Sequence, residues 1–250
     1  MASTKHVYNM NHRRRGFAYI INNVKFDELT DRLGSDVDEE RLKERFSALH
    51  FTVQSFRNQT RTQMVDVLDK ASKDDHSDSD CFVCVILSHG EEDKIYGTDG
   101  PVEVTRLLDP FKGHCCGSLA GKPKLFFIQA CRGRESDNGV DVLGVKGDAE
   151  DEDVDEVAIY RIPREADFLV AYSTVYGYVA WRDKGEGSWF IQALCKVLEE
   201  HGTTLDLMTM MTRVNHTVAH DYSAGCKTGI KKQMPCITSM LTKDVFFRPK

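Results

Sequence analysis

No run of 18 consecutive apolar residues occurs anywhere in this 250-residue chain, which excludes a membrane-spanning helix of ordinary length. Residues 1–15 are polar and hold no apolar core of the kind a secretory leader needs. Without a sign of secretion, the eight cysteines are expected to stay reduced in an intracellular, cytoplasmic setting. Cys81, Cys84 and Cys195 lie inside apolar runs, where a thiol packs as a small hydrophobe. The sequons Asn58-Gln59-Thr60 and Asn215-His216-Thr217 then read as chance matches. Basic clusters are equally scarce. Arg13-Arg14-Arg15 is too short to argue for nucleic acid. Ligand spacing for a metal is also missing. Cys81-Phe82-Val83-Cys84 has a CxxC spacing, but residues i and i+3 of a strand point to opposite faces, and His114-Cys115-Cys116 has no partner at ligand spacing. No metal and no organic cofactor is expected, and no internal repeat is present.

What the chain does have is a core and one break in composition. Hydrophobic residues make up 41% and charged residues 29%, the balance of a globular domain. The net charge of −6 is concentrated: residues 134–158 carry ten acids against Arg134 and Lys146. That segment has few large apolar residues and can add little to a core.

Elsewhere, strand-like and helix-like patterns alternate. Strands are expected at Phe17–Asn22, Phe51–Phe56, Cys81–Leu87, Lys124–Gln129, Asp167–Ser173, Cys236–Leu241 and Asp244–Phe247, with a hairpin over Lys94–Val104. A first helix begins where Asp36 and Glu39 form a capping box, and its face is Leu42, Phe46 and Leu49. The second presents Met64, Val65, Leu68 and Ala71, and a short one lies near Thr105–Phe111. Two late helices present Ile191/Leu194/Cys195/Leu198 and Leu207/Met211/Val214/Val218. Alternation of this kind implies an α/β fold with a mostly parallel central sheet and helices on both faces. Ligand sites in such sheets lie beyond the carboxyl ends of the strands, where His89, Cys131 and Tyr172-Ser173 fall.

The most informative residues are Gln129-Ala130-Cys131-Arg132-Gly133, which close the apolar run Lys124–Ile128. A cysteine between a strand end and a glycine turn can face solvent. His89, in Ser88-His89-Gly90, closes a second apolar run 42 residues upstream. A free thiol is only a few per cent thiolate at neutral pH, and a neighbouring imidazole raises that fraction or carries its proton. The plain alternative, a buried cysteine and a satisfied histidine, is outweighed by the pentapeptide and the two strand-end positions together.

This pentapeptide, with a histidine some 50 residues upstream, is the local signature of the caspases, and the chain resembles that family from Arg15-Gly16-Phe17 to Phe246-Phe247. Matching motifs include Gly121-Lys122-Pro123-Lys124, Ala166-Asp167-Phe168, Gly187-Ser188-Trp189-Phe190-Ile191-Gln192 and Lys231-Lys232-Gln233-Met234-Pro235-Cys236. The resemblance is to the effector branch. It implies a caspase-like three-layer sandwich over 1–250. Within it lie a large-subunit region of about 1–141, a cleavable acidic linker of about 134–158 and a small-subunit region of about 156–250.

It further implies Cys131 as nucleophile, His89 as acid–base group oriented by the carbonyl of Thr30, and an oxyanion hole from the N–H groups of Gly90 and Cys131. Arg32, Gln129 and Arg182 match the pocket for a substrate aspartate, and Val179, Trp181, Asp183 and Trp189 match further substrate contacts. Two departures stand out. Val179 replaces a usual aromatic residue, and Asp183 replaces a neutral amide that binds an aspartate four residues before the cut. The segment His220–Ile230 also looks short. Val, Ile or Leu is therefore expected at that fourth position. Asp155, Asp148 and, more weakly, Asp141 are the expected processing sites for an upstream activating protease. The family also forms homodimers of large/small subunit pairs through its C-terminal strands. Protein substrates with aspartate at the cut site are the implied partners, and apoptosis the implied setting. The alternatives are an initiator-type member without its recruitment domain and a catalytically inactive scaffold, which would be expected to lack one of the reactive or pocket residues.

Overall fold

The computed structural model describes residues 4–137, 163–226 and 229–250. In chain order the elements are β1 (Phe17–Asn22), α1 (Ser35–Ala48), β2 (Thr52–Arg57), α2 (Arg61–Lys73), β3 (Phe82–Leu87), β4 (Gly90–Glu91), β5 (Lys94–Gly97), β6 (Gly100–Glu103) and α3 (Val104–Leu108). There follow β7 (Lys124–Gln129), β8 (Gly133–Glu135), β9 (Phe168–Tyr172), β10 (Gly177–Tyr178), β11 (Arg182–Asp183), β12 (Gly187–Ser188), α4 (Trp189–His201), α5 (Leu207–Asp221), β13 (Ala224–Cys226), β14 (Gly229–Lys231) and β15 (Cys236–Ser239).

Six strands form the central sheet in the order β15-β9-β7-β3-β1-β2. All neighbours are parallel except β15, which runs antiparallel to β9. The middle strands β3 and β7 are buried at every position, which is why they read as unbroken apolar runs. One face packs Leu42 and Phe46 of α1 against Phe190 and Leu194 of α4 and Met211 and Val214 of α5. The other packs Met64 and Leu68 of α2 with Leu107 of α3 and Phe111. Cys81 belongs to the first layer and Cys84 to the second, so the CxxC thiols do point apart, and burial pushes both well above the usual thiol range.

Two local expectations need correction. Helix α1 begins at Ser35 with Gly34 as its cap, and no side chain caps it. Glu39 turns inward instead, accepting from Asn22 Nδ2 at 2.8 Å and Ser55 Oγ at 2.6 Å and pairing with Arg57. A carboxylate with that many donors has no reason to fold back on the helix end. Residues 244–247 form no strand. They make one bridge to Val7 and bury Val245 and Phe247 beneath the sheet face, with the Phe247 ring 5.6 Å from that of Phe51. An apolar alternation can serve an extended tail packed on a core as well as a strand.

The parallel strands end nearly level. Asn22 faces Leu87 and Leu87 faces Gln129. Past these positions Asn23 N–H donates to Leu87 O, Ser88 N–H to Gln129 O, and Ser173 N–H to Ile128 O. The loops carrying Arg32, His89 and Cys131 therefore leave the sheet along one rim. The crossover from β2 to β3 passes β1, so the direction of strand addition switches there.

Candidate active site

Cys131 is the second residue beyond β7, and Ala130 before it is clamped from the neighbouring strand. Ser173 Oγ accepts from Ala130 N–H at 3.2 Å and donates to Ala130 O at 3.0 Å. The thiol is half-buried, and Ala180 N–H donates to its Sγ at 3.4 Å. Two residues on, Gly133 lies against β10. A Cβ there would sit 2.0 Å from Gly177 O, so the glycine of the pentapeptide is required by backbone approach.

His89 is the second residue beyond β3. Its Nε2 lies 2.8 Å from Thr30 O. A carbonyl only accepts, so Nε2 carries the proton and Nδ1 is the nitrogen free to take another. The Phe26 ring packs edge-on at 4.7 Å and holds the imidazole in plane. Burial, helped by the Arg32 and Arg182 charges, pulls the imidazole below its ordinary pKa, against the bond to Thr30. Gly90 begins β4, and a Cβ on it would lie 2.7 Å from Cys131 O and 2.9 Å from Ala130 Cβ. The obstacle to a side chain there is the protein's own backbone, ahead of any substrate.

The arginines come from either side of the acidic segment. Arg32 is 1% exposed, and its Nη1 donates to Asn23 O at 3.2 Å and Ser35 Oγ at 2.7 Å. Burial, then repulsion from Arg182, lowers it to about 9. Arg182 Nε donates to Leu33 O at 2.9 Å, and burial lowers it too. Arg32 Nη2 and Gln129 Oε1 are both buried without a hydrogen-bond partner. Arg32, His89, Gln129, Cys131, Val179, Trp181 and Arg182 line one cavity of about 400 Å³. A larger cleft of about 870 Å³, walled by Glu91, Glu92, Asp93, Glu135 and Tyr176, holds neither the thiol nor the imidazole.

Trp181 and Trp189 stack at 5.8 Å between centroids, and Tyr222 continues the stack 5.6 Å from Trp189. Asp183 is exposed, and its Oδ1 accepts from Gly185 N–H at 2.7 Å and Glu186 N–H at 2.9 Å. Those bonds hold its carboxyl below the usual range, so a negative charge stays at that rim. Asp141, Asp148 and Asp155 lie outside the described residues. Among the described residues, no group of three or more His, Cys, Asp and Glu side chains is placed to hold a metal.

Two neighbours escape sequence reading. Asp38 on α1 is fully buried and accepts from Ser188 N–H at 2.8 Å and Ser188 Oγ at 2.6 Å. Its signal was an acid at a core-facing helical position, four before Leu42. Gln233 is 2% exposed and sits inside the 231–236 motif, with nothing in the sequence to say what its amide meets.

A family model described as a caspase domain matches residues 15–246. Caspase-7 of Gallus gallus is 47% identical over 247 residues, covering 96% of this chain and 79% of that protein. Caspase-3 of Bos taurus is 47% identical over 251 residues, covering 98% and 89%. The crystal structure of caspase-1 from Spodoptera frugiperda matches 100% of this chain and 98% of its own, with a TM-score of 0.91 and 39% identity. Match to the family model, near-half identity to these relatives and a shared fold make this chain a member of the caspase family, cysteine endopeptidases that cleave proteins after aspartate.

Proposed function

We propose that Cys131 and His89 perform the peptide-bond cleavage, and that Arg32, Gln129 and Arg182 select the aspartate before it. The observation carrying this is the shared cavity: a thiol, an imidazole and two guanidiniums line it, and a guanidinium nitrogen and an amide oxygen are left unpartnered. The Cys131 thiolate attacks the scissile carbonyl carbon, and the oxyanion takes hydrogen bonds from Gly90 N–H and Cys131 N–H. The C–N bond breaks as the His89 imidazolium gives its proton to the leaving amine. Water then attacks the thioester carbonyl, His89 takes the water's proton, the C–S bond breaks, and the acid leaves with the thiolate–imidazolium pair restored.

Two guanidinium forks suit a carboxylate, and a neutral side chain would leave them uncompensated. Discrimination against it should be on the order of 10³ or more. Val179 and Trp181 line the same cavity, and Trp189 backs Trp181 from beneath. The charge on Asp183 disfavours an aspartate four residues before the cut, so Val, Ile or Leu is preferred there.

The remaining reading is of an effector of apoptosis, a cytoplasmic zymogen cut in its acidic linker by an upstream protease, working as a homodimer of large/small subunit pairs. Its β15 lies at the sheet edge, where a second copy could add. No helix among the described residues is long and apolar enough to cross a membrane, and neither membrane nor nucleic acid is a proposed partner. A peptide library with aspartate fixed before the cut, read against asparagine controls and with Cys131→Ala, tests the reading. Asp-only turnover, lost in the variant and best with an aliphatic fourth residue, is expected. Turnover retained without the thiol would overturn the assignment, and Asp-Glu-Val-Asp as the best sequence would overturn the fourth-position preference.

A further inference from the structure

The segment from Gly177 to Arg182 supplies one wall of the pocket, and its backbone is held from two directions. On the pentapeptide side, Arg132 N–H donates to Tyr178 O at 2.9 Å and Val179 N–H to Glu135 O at 2.9 Å. Ala180 N–H reaches the Cys131 sulfur. Trp181, the residue next to Arg182, turns the other way. Its N–H donates to Gln233 Oε1 at 2.6 Å. The same amide donates through Nε2 to Ser173 O at 2.7 Å. Ser173 is in turn the residue whose hydroxyl clamps Ala130, immediately before the nucleophile.

We infer that Gln233 is a positioning residue for substrate recognition: its buried amide spans from the end of β9, where Ser173 clamps the residue before Cys131, to the pocket wall that carries Trp181 and Arg182. Both ends of the amide are used, one as acceptor and one as donor, so its orientation is fixed and no shorter side chain could span the gap. Apart from the thiol, Gln233 is the one side chain among the described residues that accepts from the backbone N–H groups of 177–182. The segment that follows it adds a second tie, Val175 N–H to Met234 O at 2.9 Å. The distance between nucleophile and arginine fork is thus set by a neutral group that touches neither substrate nor proton.

This inference rests on the proposed roles of Cys131 and Arg182. Its test is Gln233→Met, which keeps the volume and loses both hydrogen bonds, alongside Gln233→Ala. Three quantities are measured: steady-state cleavage of an Asp peptide, alkylation of Cys131 by iodoacetamide (followed by peptide mass), and thermal unfolding. KM should rise at least about tenfold, as expected for losing two buried hydrogen bonds, with kcat changed less. Alkylation at Cys131 should stay within about twofold of the parent, because a small neutral reagent does not use the wall. Unchanged KM would overturn the inference. So would a joint fall of kcat, alkylation and thermal stability, or failure of both variants to fold, since each makes Gln233 a plain scaffold residue. If alkylating Cys131 in the parent leaves Asp-peptide cleavage intact, the underlying assignment fails instead, whatever the variants do.

Discussion

Asp38 is a carboxyl placed where water cannot reach it, on α1 and within electrostatic reach of both pocket arginines. Burial raises its pKa to about 6, against the opposing pull of the two Ser188 hydrogen bonds and of Arg32 and Arg182. In an unfolded chain it would titrate near an ordinary aspartate value of about 3.9. Folding therefore favours the protonated form. That contribution is fully present below about pH 4 and is lost as pH rises through about 6. Asp38→Asn keeps the shape without the charge, so it should remove this dependence. We expect the variant to match the parent near pH 4 and to exceed it at pH 7.5 by on the order of 2 kcal/mol, in urea unfolding at the two pH values. A variant clearly less stable at pH 7.5 would mean that the ionised group supports the scaffold. The ionised carboxyl raises the pKa of both arginines, and for Arg32 that opposes a burial strong enough to bring it to about 9. Its charge serves the pocket at the expense of the fold.

At the scale of elements, the site depends on how closely β4 can lie against the end of β7. Gly90→Ala would put a methyl group 2.7 Å from Cys131 O, with Ala130 Cβ and Lys94 O also within about 3 Å. Backbone on two sides leaves little room to yield. Displacing Gly90 N–H should cost about 10²–10³ in kcat with the folded state retained, as circular dichroism and turnover would show; near-normal kcat would remove Gly90 from the oxyanion role. The elements that create this closeness were legible before any coordinates. Strands buried on both faces must be written as apolar runs, so β3, β7 and the reactive residues just past them stood out. The start of α1 was misread because Asp36 and Glu39 have capping spacing, while Glu39's partners come from β1 and β2, which no local pattern can announce. Arg32 and Arg182 sit in loops without periodicity, and only their likeness to family motifs marked them. Gln233 was visible as part of a motif, but its two hydrogen bonds join residues 173 and 181, far off in sequence.

The central six-stranded sheet is built from two stretches of chain on either side of the acidic segment. The site draws on both: Arg32, His89 and Cys131 precede that segment and Arg182 follows it. Lys232 N–H donates to Asp137 O at 3.0 Å, tying the first residues of that segment back onto the later half. If cleavage there is the switch, replacing Asp141, Asp148 and Asp155 together with alanine should hold the chain intact under an activating protease. Activity on an Asp peptide should then stay at least about tenfold below that of the processed enzyme. Full activity without a cut would discard the switch.

The chain contains two tryptophans, and both are in the aromatic stack at the pocket wall, Trp181 lining the cavity and Trp189 face to face with it. All indole emission therefore originates beside the substrate, with no background from the rest of the protein. The enzyme carries its own fluorescent gauge of pocket occupancy, readable without a label.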